Sequence, residues 1–482
     1  MKPALYPKAS SPKAPSPKAV VAAVFVSAMF MNIMDQTVVN VALPTLSRSF
    51  GVQLASVSGV VSAYLVTIAV VMPASGWVGD KFGAKSVVLT SIAIFTGASV
   101  LCGVATSLPE LVAFRAMQGI GGGMLVPVGM TMMFRAFPPA ERIRANRILM
   151  VPTLLAPASG PVIGGALVDG LSWRWIFFIN VPIGAAALVF GLLFLPGGSE
   201  HGVGRFDLPG FLLAATGFPL FMYAISTGAA AGWGSPSVLA TGVAGVVLLA
   251  VFAAVELRST APMLQLRIFT DRVFRVTNLQ LAFASFGFFG VLFLVPLLLQ
   301  DGLGFSAIHS GLTTFPEAIG GMTGIQITSR LYKKVGPRRL MMTGMAATVL
   351  TTGGMAFAGP STVQWLIPVL MFLTGASFGF AMAPSQTASL ATISNARTGQ
   401  ASTLMNTLRQ VAGAAGVAVS GTLIGSLHAG PGSLVGFRAG FAVAATAMAV
   451  ALAFAARVSD SDAAPTMADS ERGTATPLAE AA

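Results

Sequence analysis

Long apolar runs alternate with short charged or glycine-rich breaks along almost the whole chain. A bilayer span needs about 20 mostly apolar residues. Fourteen stretches meet that requirement, at roughly 20–43, 54–76, 86–105, 109–134, 144–169, 174–195, 209–228, 236–256, 273–300, 307–329, 339–358, 364–391, 399–426 and 434–456. The pattern therefore predicts an all-α integral membrane protein with fourteen transmembrane helices. Residues 1–19, rich in Lys, Pro, Ser and Ala, and residues 458–482 read as disordered cytoplasmic tails. The first apolar run exceeds the ~7–15 residues of a signal-peptide core, so it is expected to be retained as a span.

Composition supports this reading. Hydrophobic residues make up 55% of the 482 residues and charged residues only 9%. A soluble domain carries about 25% charged residues, so most of this surface must meet lipid. The formal net charge of +12 raises the possibility of nucleic acid, but its placement answers otherwise. With the N-terminus inside, 23 of the 28 Lys and Arg fall on the inner side. Only Arg48, Arg174 and Arg438 fall outside, while Arg115 and Arg409 lie within spans. Such a bias fixes the expected topology, with both termini cytoplasmic, and no nucleic-acid partner is expected. Cys102 is the single cysteine, and His201, His309 and His428 are scattered. No metal site is expected.

The chain also resembles itself. Shifted by about 250 residues, "GDKFGAKSVVLTS" meets "KKVGPRRLMMTG", aligning Gly83 with Gly336 and Lys85 with Arg338. Gly119 then meets Gly375, Gly160 meets Gly416 and Gly165 meets Gly421. The expected architecture is two parallel six-helix repeats, residues 20–195 and 261–457, with an inserted helix pair in 196–260. Repeats of this kind place a binding site near the midplane between halves that rock against each other.

Four stretches carry candidate chemistry. In "FMNIMDQTVVNVALP" (30–44), Asp35 sits inside an apolar span, where a lipid-facing carboxylate would cost several kcal/mol. Asn32, Asp35, Gln36 and Asn40 share one helical face at about 100° per residue. They are expected to line a water-accessible cavity, where burial favours the protonated acid. The bland alternative is an acid held by structural hydrogen bonds. In "LVAFRAMQGIGGGMLVP" (111–127), Arg115, Gln118, Gly119 and Gly122 fall on one side of a helix, and Gln118 is expected to line the same cavity. A buried Arg115 needs an acidic or carbonyl partner, unless it snorkels to the surface.

"GWVGDKFGAK" (76–85) has glycines suited to a tight turn. Gly76, Asp80, Lys81, Gly83 and Lys85 are the expected conformational latch. The second copy carries Lys333 opposite Asp80, so the latch is expected to be asymmetric. In "APASGPVIGGALVD" (156–169), Gly160 and Gly164 make a small-residue packing face and Pro157 and Pro161 bend the helix. Gly160, Pro161, Gly164 and Gly165 are expected to form a gate helix, with simple packing as the alternative.

Together these stretches resemble the major facilitator superfamily, in its fourteen-helix drug:proton antiporter branch, over about residues 20–457. "FDLPG" (206–210) and "RTGQASTLMNTLRQVAGAAG" (397–416) are further branch-like features. The resemblance implies a major facilitator fold, proton coupling through Asp35 and Arg115, and export rather than import. It does not demand Glu317, a second intramembrane acid, which is read as a further proton site or a contact for a cationic substrate. Asn406, Arg409 and Gln410 form another polar face, and Ser385, Gln386 and Ser389 another. All are candidates for the same cavity or for interhelical hydrogen bonds. Asp169, Asp207, Glu256, Asp271 and Asp301 read as interfacial charges.

No GxxxxGK[ST] loop occurs, so this chain has no ATP-driven engine. The expected function is proton-coupled efflux of amphipathic, including cationic, drugs or antibiotics across a bacterial cytoplasmic membrane by alternating access. The proton gradient replaces any cofactor. Expected partners are a small-molecule substrate, protons and membrane lipid, with a monomer as the unit. The same scaffold would serve a specific metabolite, siderophore or amino acid. A membrane enzyme would need a concentrated catalytic set that the sequence lacks, and a channel would not need the repeat and latch.

Overall fold

The computed structural model describes residues 16–137, 142–195, 206–260, 262–359, 365–394, 397–427 and 433–463. Most of both tails, together with His201 and His428, lies outside the described residues. Fourteen helical rods cross the structure, with no strand among the described residues. The first half holds α1 (Pro17–Phe50), α2 (Ser58–Val71) continuing through a 3-10 turn into α3 (Ser75–Phe82), α4 (Ala84–Val104), α5 (Leu108–Ala136), α6 (Arg142–Gly170), and α7 (Trp175–Phe178) with α8 (Asn180–Phe194). The insertion is α9 (Leu208–Ala231) and α10 (Pro236–Arg258). The second half holds α11 (Arg272–Leu297), α12 (Ala307–Val335), α13 (Pro337–Met355), α14 (Leu366–Ser389), α15 (Thr398–Ser426) and α16 (Val435–Ala455).

Local signals explain the boundaries. Ser16 caps α1 by accepting from Ala19 N at 3.3 Å, with Pro17 just inside the start. Gly51 ends α1 at φ +63°, a left-handed cap that favours glycine. Gly83 and Gly336, paired by the repeat, both adopt positive φ, +83° and +85°. Each breaks a helix within one residue, α3 from α4 and α12 from α13.

Ten of the rods are long and apolar enough to cross a membrane by length and composition. The remaining four are α6, α12, α13 and α15. They are richer in glycine, threonine and proline, and three of them build the seam between halves. There α6 packs on α12 and α15 packs on α2. The pairing obeys the repeat. In the first half α1 packs on α6 and α8, α4 on α5 and α8, and α2 on α5. In the second, α11 packs on α15 and α16, α13 on α14 and α16, and α12 on α14. The two seam pairs exchange under the same pseudo-twofold relation. The inserted α9 lies against α2 and α15, where Thr422 Oγ1 donates to the Ile225 carbonyl at 2.6 Å.

The halves meet most closely toward the end that carries Gly51, Gly170 and Gly304. Asp169, at the end of α6, accepts from the Ala307 and Ile308 backbone N–H groups of α12, at 3.2 and 2.7 Å. A Cβ on Gly311 would strike the Pro161 carbonyl, and one on Gly165 the Ala307–Ile308 backbone. Gln300 Nε2 donates to the Val41 carbonyl at 2.8 Å. These contacts seal the two halves against each other at this end.

Most of the acids read as interfacial are helix caps. Asp207 Oδ1 accepts from Gly210 N at 2.9 Å, and Asp271 Oδ1 accepts from Phe274 N at 2.8 Å. Glu256 is not a cap: at 1% exposure it is buried rather than interfacial, and its Oε2 accepts from Leu264 N in the connection after α10 at 3.0 Å. Residues 460–463, read from sequence as part of a disordered tail, form a 3-10 turn instead. Asp460 Oδ1 accepts from Arg338 N at 2.9 Å, capping the first turn of α13. The second copy of the latch loop thus regains an acid from beyond α16.

The sealed end makes a testable prediction. Gly311→Leu should hold α6 and α12 apart. Spin labels at positions 171 and 304 should then give a longer mean distance than in the unmodified seam. An unchanged distance distribution would show that close backbone packing there does not govern closure.

Candidate functional site

Asp35 is fully buried, at 0% exposure. Its Oδ2 accepts from Arg115 NH1 at 2.5 Å. Its Oδ1 accepts from Gln118 Nε2 at 2.9 Å and from Asn180 Nδ2 at 3.1 Å. Gln118 and Asn180 also both donate to Ser99 Oγ, at 2.7 and 3.3 Å. Arg115 is satisfied in turn. Its NH1 donates to Gln118 Oε1 at 2.6 Å and its Nε to the Val60 carbonyl at 3.2 Å. Its guanidinium lies 4.2 Å from the Tyr64 ring centroid, a cation–π contact. Five rods, α1, α2, α4, α5 and α8, converge on one ion pair. A buried charge pair is tolerated only when its remaining hydrogen-bonding capacity is met, and nearly every group here is engaged. The exception is Asn180 Oδ1, which is buried without a partner.

This arrangement revises the expected cavity face. The polar stripe on α1 splits along its width. Asp35 lies at one edge and turns into the first half, away from the central space. Asn32 Nδ2 donates to the Tyr64 hydroxyl at 3.1 Å, and Gln36 Nε2 donates to Asn32 Oδ1 at 3.2 Å. Only Gln36 and Asn40, at the other edge, border open space. Gln118, expected in the cavity, is also fully buried in the Asp35 network. Arg115 does not snorkel, being 1% exposed, although it touches the rim of the space beside Gln36.

Two adjoining narrow clefts occupy the centre, of about 10 and 20 Å³, room for about one water each. Asn40 belongs to both. The smaller is bounded by Gln36, Tyr64, Arg115 and Phe289 among others, and the larger by Thr37, Pro157, Pro161, Thr314 and Glu317 among others. Glu317 thus faces the central space from the second half, apart from the Asp35 pair. It has no hydrogen bond or ion pair among the described residues. Arg409 NH1 donates to Asn406 Oδ1 at 3.2 Å while its Nε is buried without a partner. Gln410 is half-buried. Ser385 and Ser389 are fully buried and donate to carbonyls of their own helix, at Ala381 and Gln386.

The glycine-proline stretch of α6 is wedged between two helices. A Cβ on Gly160 would strike Thr37, and one on Gly164 would strike Val38, both of α1. Gly165 and Pro161 face α12 instead. The latch stretch ties rods within the first half. Asp80 lies 3.7 Å from Arg135 NH2, and Lys85 Nζ donates to the Leu195 carbonyl at the end of α8 at 2.6 Å. Lys81 lies over the Trp77 ring, and Gly83 supplies the turn.

Sequence reasoning missed Asn180, Ser99 and Tyr64. A lone Asn in the apolar run "FFINVPIG" is a signal, because an unpaired amide in a span is costly. Its partner could not be read from spacing.

The family profile described as Major Facilitator Superfamily matches residues 25–417. A multidrug resistance protein B homolog of Mycobacterium tuberculosis is 32% identical over 394 residues, covering 81% of this chain and 73% of that one. A relative named multidrug resistance protein MdtD, from Serratia proteamaculans, is 32% identical over 392 residues, covering 81% and 82%. Among solved structures, an inward-facing bacterial homologue of the human lysosomal transporter Spinster aligns with a TM-score of 0.63 at 16% identity, covering 94% and 98%. The nucleoside transporter NupG aligns at 0.62 and 15%, covering 91% and 100%. At these identities the structural likeness carries the fold alone.

The ion pair predicts unequal losses. Arg115→Ala should lower stability by about 3–5 kcal/mol, because it strands a buried carboxylate. Asp35→Asn combined with Arg115→Gln should cost less than Arg115→Ala alone. Thermal unfolding in one detergent checks both, and simple additivity would show that the residues act independently.

Proposed function

Because the chain belongs to the Major Facilitator Superfamily and is a multi-pass transporter of multidrug-resistance type, not an enzyme, we propose that it exports amphipathic small molecules in exchange for protons across a bacterial cytoplasmic membrane. The observation that carries this reading is the buried Asp35–Arg115 pair at the edge of the central space. Asp35 is the acid that would take the proton, and Arg115 is the group that would sense it. While Asp35 is ionised it holds Arg115. Protonation would remove the charge–charge attraction and loosen the guanidinium, which already touches the rim beside Gln36.

With the N-terminus inside, as the Lys and Arg bias directs, the sealed end faces outward. Loading of substrate from the cytoplasm would then use the opposite end. Opening of the Asp169–α12 seam would open the central space, with Glu317 on its wall and Arg115 at its rim, to the outside, where protons are abundant. A membrane potential of about 100 mV adds about 2.3 kcal/mol per charge moved. Glu317 is the second acid of this reading and lies on the substrate side of the space.

The test uses proteoliposomes with an imposed pH gradient and a panel of dyes, antibiotics and metabolites. Substrate addition should release protons, and Asp35→Asn should abolish that release. Intact transport without any dependence on the pH gradient would remove the antiport reading. Full coupled transport by Asp35→Asn would reduce Asp35 to a structural role.

A further inference from the structure

One corner of the second half gathers arginines that neither the buried ion pair nor the latch uses. It lies where the first turns of α11 and α13 meet the end of α16, at the end that carries Gly83 and Gly336. Val276 of α11 and Met341 and Met342 of α13 pack there with Ala455 and Val458. Around that small core Arg272, Arg275, Arg338, Arg339 and Arg457 are all exposed. Two of them are drawn together, since Arg272 NH2 donates to the Arg457 carbonyl at 3.0 Å. The carboxylates described beside them are already committed to backbone. Asp271 caps α11 through Phe274 N, and Asp460 caps α13 through Arg338 N. Like charges gathered at a membrane interface favour an anionic partner.

The surface leading away from the arginines is apolar. On α11, Arg272, Val276, Leu279 and Phe283 fall on one helical side, and Phe283 is 37% exposed. On α16, Ala442, Thr446, Ala449 and Ala453 are exposed along one side. The two helices pack together, and Phe454 of α16 stacks on Phe283 with ring centroids 5.9 Å apart and 13° between planes. The Arg457 guanidinium lies 5.4 Å from the Phe454 ring centroid. Each helix thus tops an apolar column with an arginine, and the columns run side by side. The Lys and Arg bias accounts for positive charge at this end. It does not account for two guanidinium groups set over one aromatic groove. A molecule that matches this surface carries an anionic head at the interface and a hydrocarbon tail in the bilayer. Guanidinium groups suit a phosphate head because their forked donors bond two of its oxygens at once.

We propose that the α11–α16 groove binds one anionic phospholipid, with its phosphate between the Arg272 and Arg457 guanidinium groups and an acyl chain against Phe283 and Phe454. A zwitterionic lipid is disfavoured, because its ammonium would sit among the same arginines. Each basic residue at the surface strengthens the hold on an anionic lipid about fivefold. The site lies on the outer surface of the second half, so it stands apart from the central space and from the export reading.

The experiment is native mass spectrometry of the delipidated full chain with phosphatidylglycerol and phosphatidylcholine of identical acyl chains. The first phosphatidylglycerol should bind about tenfold more tightly than the first phosphatidylcholine, or better. Arg272→Ala combined with Arg457→Ala should remove most of that preference. Arg330→Ala combined with Lys334→Ala takes the same charge from exposed positions of α12 at the same end, and should leave the preference within about twofold. Should the first double variant fail to fold, Arg457→Ala alone keeps the backbone acceptor of Arg272. It should lower the preference about fivefold, and an unchanged preference overturns the proposal. Equal binding of the two lipids also overturns it. So does an equal loss in the two double variants, which would mark diffuse surface charge and no groove. Displacement of phosphatidylglycerol by millimolar inorganic phosphate would mark a phosphate site without a lipid, and overturns it as well.

Discussion

A carboxylate buried among apolar helices needs compensation, and the first half of this molecule is organised around giving it to Asp35. The acid takes donors from α5 and α8, and Ser99 of α4 ties those donors together. Bringing Arg115 Nε to the Val60 carbonyl requires α5 to press close to α2. Gly119 makes that approach possible, since a Cβ there would lie 2.8 Å from Thr67 Cβ and 2.9 Å from the Tyr64 carbonyl. Gly122 leaves room in the same way for the Asn32–Tyr64 contact. Gly119 and Gly122 of α5, Ser99 of α4 and Asn180 of α8 thus all serve one ion pair in a low-dielectric interior.

The halves share a fold but not a charge arrangement. In the first, the acid and the base face each other and are buried together. In the second, Glu317 and Arg409 stand without an ion pair among the described residues. The repeat duplicates helix packing, which depends on small residues at recurring positions. It does not duplicate the charged groups, each of which depends on a single residue. An internally symmetric frame can therefore carry two unlike tasks, one on each side of the central space.

Much of the fold was legible because lipid imposes simple rules. Span length, Lys and Arg bias and ordered glycine matches together led to fourteen helices in two repeats. Apolar stretches of span length gave all fourteen, although α6, α12, α13 and α15 fall short of the apolarity of the other ten. The site was legible only in part. Asp35 and Arg115 announced themselves as charges inside spans, but their pairing across 80 positions leaves no periodic trace. The helical phase of α1 placed Asp35 with Gln36 and Asn40, yet a stripe that wide faces two environments. Periodicity cannot say which edge meets the neighbouring helices.

Asp460 shows that the repeating unit and the folding unit differ in length. Sequence self-similarity ends with α16, but the N-terminal turn of α13 is completed by a carboxylate lying past that limit. The exposed N–H groups that open any helix must be met by something. Here the chain meets them with a residue more than 120 positions downstream. A second half excised at the end of its last span, or joined there to another polypeptide, would be whole by alignment yet lack one of its own helix caps. Modularity in this protein is a property of the helices and not of the segments that finish them.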